Sequence, residues 1–465
     1  MSELPAGWAW STLQTACAVV RGITFPASAK EPKPTDANVC CLRTSNIQKQ
    51  INWKDVYYVD RSYVKREDQF VQVGDVLMSM ANSYELVGKV AKVLHVPSPT
   101  AFGAFLSAVR PTLAVNKNYL FHFLRTDQVQ SELREGSSQT TNIANISVWR
   151  LSSIAMPLAP AAEQTRIANQ LDTLLTRVQA CNDRFDAIPA LLKRFRQTIY
   201  MAATSGTLTE DWRAANKVND WTHERAADVC TKVQSGGTPK EGFSARGVPF
   251  LKVYNIVNQK IAFDYKPQYI ELSIHYGSMA KSRTQPGDVL MNIVGPPLGK
   301  VAIVPADRNE WNINQAITLF RPSERISTGW LYCILCSGVN IADIIHETRG
   351  SAGQVNISLS QCRDFVFPVP TVVEQAEIVR RVEALFALAD RIEARSTAAR
   401  AQAQRLTPLV LAKAFRGELV PQDPNDESAS TLLARIGSSN TAVVGKNKQK
   451  VPVARKERAQ AAIDL

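Results

Sequence analysis

Glu163-Gln164-Thr165-Arg166-Ile167 opens a stretch in which apolar residues return at Ile167, Leu171, Leu174, Val178, Cys181, Phe185, Ile188, Leu192, Phe195 and Ile199. The steps alternate 4, 3, 4, 3 without a slip, the a/d spacing of a helix that seeks a helical partner. Adding 211 to each position gives a second copy. Glu374-Gln375 opens it, followed in phase by Ile378, Val382, Leu385, Ala389, Ile392, Ser396, Ala399, Ala403, Leu406 and Val410. Two stripes in one register, each behind a domain-sized segment, imply a duplicated plan.

The rest of the chain repeats with them. Leu42–Ile47 corresponds to Leu251–Ile256, Gly74-Asp75-Val76-Leu77-Met78 to Gly287–Met291, and Gly88-Lys89-Val90-Ala91 to Gly299–Ala302. Arg110-Pro111 recurs as Arg321-Pro322, and Asn145-Ile146-Ser147 as Asn356-Ile357-Ser358, both 211 residues on. The expected organisation is a first globular domain over 1–158, a first long helix over 159–210, a second domain over 211–369 and a second helix over 370–420. A polar, basic tail over 421–465 reads as largely disordered.

Each globular part alternates short β-type runs with Gly, Pro and Asn turns. Val76–Met78, Val87–Val93, Val289–Val294 and Val301–Val304 are the clearest strands, and Tyr119–Leu133 and Trp330–Ile345 the helical stretches. The class is therefore α+β, with mostly antiparallel strands. Helix throughout 161–204 would run about 66 Å. Pro189 and Pro408 lie inside the two patterns and predict a kink or restart, although the apolar phase passes through both.

Two such helices in one chain can pair antiparallel, which relates the two domains by a pseudo-twofold axis. A coiled coil between two chains is the alternative. The expected seam is Ile167, Leu171, Leu174, Val178, Phe185 and Leu192 against Ile378, Val382, Leu385, Ile392, Leu406 and Val410. Ala389, Ser396, Ala399 and Ala403 make the second stripe poor in burial, as suits a helix with an outside partner.

A net charge of +12 over 465 residues favours polyanionic partners. The start, Met1–Pro5, lacks the regions of a secretory signal, and no apolar run approaches a membrane span. Eight scattered cysteines, Cys40-Cys41 among them, fit a reducing cytoplasm. Cys333-Ile334-Leu335-Cys336 has no second pair at metal-binding spacing, and Gly295–Val301 lacks the spacing of a phosphate loop. No catalytic motif stands out, so no catalytic, cofactor or metal residue is assigned.

The candidate DNA contacts are polar and basic. Ser137, Gln139, Thr140 and Asn142 lie in one Gly/Ser/Thr-rich loop, and Ser351, Gln354 and Asn356 in its counterpart. Gln and Asn can pair with adenine, and Ser and Thr with bases or phosphates. Both stretches are equally readable as solvated loops. Lys30, Lys33, Arg43 and Asn46 in the first domain, with Thr238, Lys240, Lys252, Tyr254 and Asn255 in the second, have the charge and amides of a groove-facing surface. Lys446, Lys448, Lys450, Arg455, Lys456 and Arg458 form a basic tail, either a solvated terminus or a non-specific DNA contact.

The order of these features resembles the specificity subunit of type I restriction–modification systems. Leu4–Trp10 is similar to that family's start, Ser235-Gly236-Gly237-Thr238-Pro239 to the head of its second recognition domain, and Leu411–Leu419 to the end of its second helix. The resemblance implies a non-catalytic bacterial or archaeal subunit in the cytoplasm, acting in defence against foreign DNA. Each recognition domain would read one half of a bipartite double-stranded DNA site, with the spacer setting the gap. Two methyltransferase (modification) subunits would dock on the helices and bring S-adenosylmethionine to methylate adenine. Restriction subunits would add translocation and cleavage with ATP and Mg.

Overall fold

Two repeated motifs meet in space. In the first half Arg110 reaches Asp75 with both Nε and Nη2, at 2.7 and 2.8 Å; in the second Arg321 reaches Asp288 in the same way, at 2.8 and 2.9 Å. Both carboxylates are buried, so each needs the paired, planar guanidinium to offset its lost hydration. The computed structural model describes residues 3–140, 143–218, 220–308, 310–347 and 356–435. It divides into two units, Met1–Asp183 with Ala399–Leu465, and Arg184–Ala398.

Each unit has the same sheet plan. In the first, an antiparallel sheet runs Cys17–Arg21, Leu106–Pro111, Val76–Ser79, Val90–Lys92; in the second it runs Cys230–Ser235, Ile317–Pro322, Val289–Asn292, Val301–Ile303. A second sheet in each unit contains a parallel pair, Asn38–Leu42 beside Thr100–Phe102, and Val248–Leu251 beside Trp311–Ile313. Entry and exit strands clasp each other. Ala9–Thr12 pairs antiparallel with Ala155–Leu158, and Thr222–Arg225 with Val366–Val369.

The expected strands are present, although Val87–Val93 is strand only over Val90–Lys92. Each expected helical stretch is two helices. Lys117–Leu124 ends where Thr126 caps Asp127–Glu135, and Thr328–Ser337 ends at Gly338, whose φ of 72° carries the chain out of the helix before Val339–Glu347. The repeated Asn-Ile-Ser motif is a helix start: Ser147 and Ser358 cap Val148–Ser152 and Leu359–Asp364.

The long helices are Ala161–Thr204 and Val372–Phe415, 44 residues each, and neither restarts at its proline. Glu163-Gln164 and Glu374-Gln375 are buried staples. Trp8 Nε1 donates to Glu163 Oε2 at 3.1 Å, and Trp221 Nε1 to Glu374 Oε2 at 2.9 Å. Gln164 accepts from the backbone N–H of Asn116 and donates to the carbonyls of Ala159 and Ala114. Gln375 does the same with Ser327, Pro370 and Arg325, each 211 residues further on. Each helix is thereby bolted at its first turn to the domain before it.

The seam is only partly as expected. Ile167, Leu171, Ile378 and Val382 are buried, but each belongs to the core of its own unit, and Leu192 is also buried. Leu174, Val178, Phe185, Leu385 and Val410 are half-buried. Ile392 and Leu406 are corrections: they stand exposed, because heptad phase fixes a face without fixing what covers it. Within the second unit Arg196 bonds Asp390 and Glu393 while Tyr200 packs edge-on against Phe386, so the helical segments run antiparallel there.

The expected tail from 421 also needs correction. Ala429 is fully buried with its N–H on the Gly7 carbonyl, Arg166 pairs with Asp426 at 2.6 Å, and Leu432 and Leu433 pack on the first core. The sparse apolar residues Ala429, Leu432 and Leu433 suffice because they fall on one helical face. The basic residues from Lys446 onward lie outside the described residues.

Candidate nucleic-acid interface

The carboxyl end of a parallel strand pair leaves side chains in a crevice beyond the sheet, where ligands of open α/β sheets commonly bind. In the first unit the Gly103 N–H donates to the Leu42 carbonyl, and in the second the Asn314 N–H donates to Leu251, closing each pair at that end. A glycine strap crosses both ends. A Cβ on Gly22 would stand 2.2 Å from the Gly103 carbonyl oxygen, and one on Gly236 2.1 Å from that of Asn314, so no other residue fits. This is the physical content of the Ser235–Pro239 motif.

Arg43 and Lys252 follow the equivalent strands directly. Their N–H groups are held by Asn46 and Asn255 at 2.8 and 3.0 Å. Those two asparagines are not DNA contacts but buried brackets. Asn46 also donates to the carbonyls of Asn52 and Asp55, and Asn255 to those of Ala262 and Tyr265, which uses both amides. Arg43 pairs with Asp55 and lies 5.7 Å from the Tyr57 ring centroid, with Lys30 Nζ 5.4 Å from it. Burial raises the Tyr57 hydroxyl above its usual range, so it remains a neutral donor. Lys252 Nζ lies 4.4 Å from the Phe243 ring centroid.

Lys33 and Lys240 are exposed. Tyr254 turns its hydroxyl to the Lys266 carbonyl, and Ser137 turns its own to that of Arg134. Gln139 and Thr140 lie in a strand, Ser138–Thr140, paired with Ile143–Asn145. Asn356 is exposed and bridges to Val294. Asn142, Ser351 and Gln354 lie outside the described residues. The structure thus gathers Lys30 with Arg43 at the Tyr57 ring, while Lys252 directly follows its strand and packs on Phe243.

Sequence reasoning missed Tyr57, Phe243 and the pair Asn314-Gln315. Gln315 is exposed and its Oε1 accepts from Thr238 Oγ1 at 3.1 Å; Asn314 Oδ1 beside it is buried without a partner. The signal was available: the repeat sets Asn314-Gln315 against Gly103-Ala104, two polar residues where the first copy has none. Behind them, Asn312 is fully buried, donating to His275 Nδ1 at 3.0 Å and accepting from Ser282 at 2.7 Å. Burial lowers the His275 pKa, so the ring is neutral and donates through Nε2 to Glu310, whose pKa falls to about 2 through Tyr276, Arg283 and His275. That network fixes the strand Trp311–Ile313, which leads into the turn carrying Gln315.

Among the described residues no group of His, Cys, Asp and Glu could hold a metal ion, and no helix is long and apolar enough to cross a membrane. Cys333 and Cys336 are buried thiols pushed up to about 12.

The profile of the type I restriction modification DNA specificity domain matches residues 219–399. The type I restriction enzyme EcoKI specificity subunit of Escherichia coli K12 is 30% identical over 96% of this chain and 98% of its own. The chain belongs to the type I restriction enzyme specificity subunits. The StySPI specificity subunit of Salmonella potsdam is likewise 30% identical, over 96% of this chain and 98% of that one. In fold, this specificity subunit is similar to the HsdS subunit from Thermoanaerobacter tengcongensis, with a TM-score of 0.57 at 18% identity over 90% of this chain and 99% of that one. A chain solved in work on complex assembly and conformational transition of the type I R-M system gives a TM-score of 0.63 at 18% identity, over 90% and 100%.

Proposed function

We propose that this specificity subunit is non-catalytic and reads a split double-stranded DNA site, one half per globular domain, with the long helices setting the gap. The observation that carries this reading is the duplicated staple. The same Trp–Glu and Gln–backbone bonds fix each helix to its own domain, so each reading head is held at a set angle to its helix. Half-site spacing then follows protein geometry. Phosphate contacts from the basic surface supply affinity, and base contacts from two domains multiply discrimination.

Two methyltransferase subunits dock on the helices and bring S-adenosylmethionine; restriction subunits bring ATP and Mg. Exposed Leu191 and Leu388 in the second unit, and Leu406 and Leu409 in the first, offer the apolar surface for docking. The test is to insert four residues after Asp183 and four after Ala398, where the units divide. Four residues lengthen a helix by about 6 Å, so the unspecified gap grows by about two base pairs with both half-sites unchanged. An unchanged gap refutes the spacer, and methylation or cleavage by the purified chain alone refutes the non-catalytic assignment.

A further inference from the structure

Resting on that reading, we propose that Gln315 is a base-reading residue of the second domain, set to pair with the major-groove edge of an adenine. Four observations converge on it. It is exposed, at the carboxyl end of the parallel pair Val248–Leu251 and Trp311–Ile313. Thr238 Oγ1 holds its Oε1 at 3.1 Å from the strap, and the strap is pinned by the parallel bridge of Gly237 to Asn314. Its amide NH2 donates to nothing among the described residues. Lys252, with no carboxylate partner among them, leaves the neighbouring strand at the same end, where a phosphate would meet it.

The chemistry fits one edge. A carboxamide oxygen has two lone pairs, so Thr238 can hold one while the other accepts from adenine N6–H2 and the free NH2 donates to N7. A long, flexible side chain loses entropy when it docks; fixing its oxygen beforehand reduces that loss. The first unit has Gly103-Ala104 at the matching turn, so this base contact is private to the second half-site. Thr238 acts as a positioning residue.

The experiment uses the full chain assembled with its methyltransferase subunits. Methylated motifs of wild type, Gln315→Ala, Gln315→Glu, Thr238→Val and Thr238→Ser complexes are mapped on the same genomic DNA. In Gln315→Ala one adenine of one half-site becomes degenerate, its preference falling by about 5- to 150-fold, while the other half-site and the gap stay as they are. Gln315→Glu, an acceptor only, moves that position toward cytosine. Thr238→Val weakens the same position and Thr238→Ser restores it.

The unaffected half-site reports folding and assembly within each variant. An unchanged motif in Gln315→Ala overturns the proposal, as does an equal loss at both half-sites. A wild-type complex that methylates no split motif refutes the functional reading itself, and this proposal with it.

Discussion

At the scale of single residues, the two staples are alike in plan and unequal in chemistry. Glu374 Oε1 receives Arg213 at 2.7 Å and Thr209 at 2.8 Å, whereas Glu163 Oε1 is buried without a partner. Burial therefore raises the Glu163 pKa above the usual carboxylate range, the Trp8 bond offsetting part of it. A raised carboxyl contributes stability that is present below its unfolded pKa and lost as pH rises through the folded value. Glu163→Gln should thus leave stability at neutral pH unchanged or higher, with the difference from wild type closing in acid. Glu374→Gln removes the charge that Arg213 and Thr209 address and should cost about 1.5–3 kcal/mol. Denaturant titration of both variants at neutral and acidic pH checks the contrast, and equal losses would contradict it.

At the scale of elements, the long helices were the most legible part of the sequence, because steps of 4 and 3 kept up from Ile167 to Ile199 fit a helix and no strand. What covers them was not legible. Ile392 continues the heptad phase as well as Ile378 does, yet one is exposed and the other buried, since that helix meets domain cores near its ends, at Ile378 and Val382 and at Leu411 and Ala414, and Ile392 belongs to neither. Pro189 is exposed inside an unbroken helix, where it removes one backbone hydrogen bond and crowds the preceding turn. Pro189→Ala should stabilise the helix by about 1–3 kcal/mol, less the entropy that proline removes from the unfolded chain. A rise in melting temperature and helical circular dichroism is the expected result; a fall would mean that the proline shapes a bend the fold needs.

At the scale of the whole molecule, the duplication was readable from offsets alone, whereas the candidate site was readable only as chemistry. Asn46 and Asn255 have the amides expected of base readers, but burial spends them on backbone; Gln315 keeps its amide exposed. Residue type cannot distinguish these, because the difference lies in which atoms the fold leaves unbonded. The C-terminal segment is likewise part of the first core, so truncation after Val420 should cost the first unit about 2–4 kcal/mol through loss of Leu432, Leu433 and Ala429. Calorimetry should show that unit's transition falling while the second holds. The clasp of Ala9–Thr12 with Ala155–Leu158, matched by Thr222–Arg225 with Val366–Val369, has an evolutionary consequence. Each domain leaves the chain where it entered, so everything between its clasp strands is a removable cassette. On the proposed reading, recombination at the two clasp strands exchanges half of a target, with the Trp8–Glu163 or Trp221–Glu374 bond outside the cassette inherited intact and the Asn116 or Ser327 partner of the helix glutamine travelling with it.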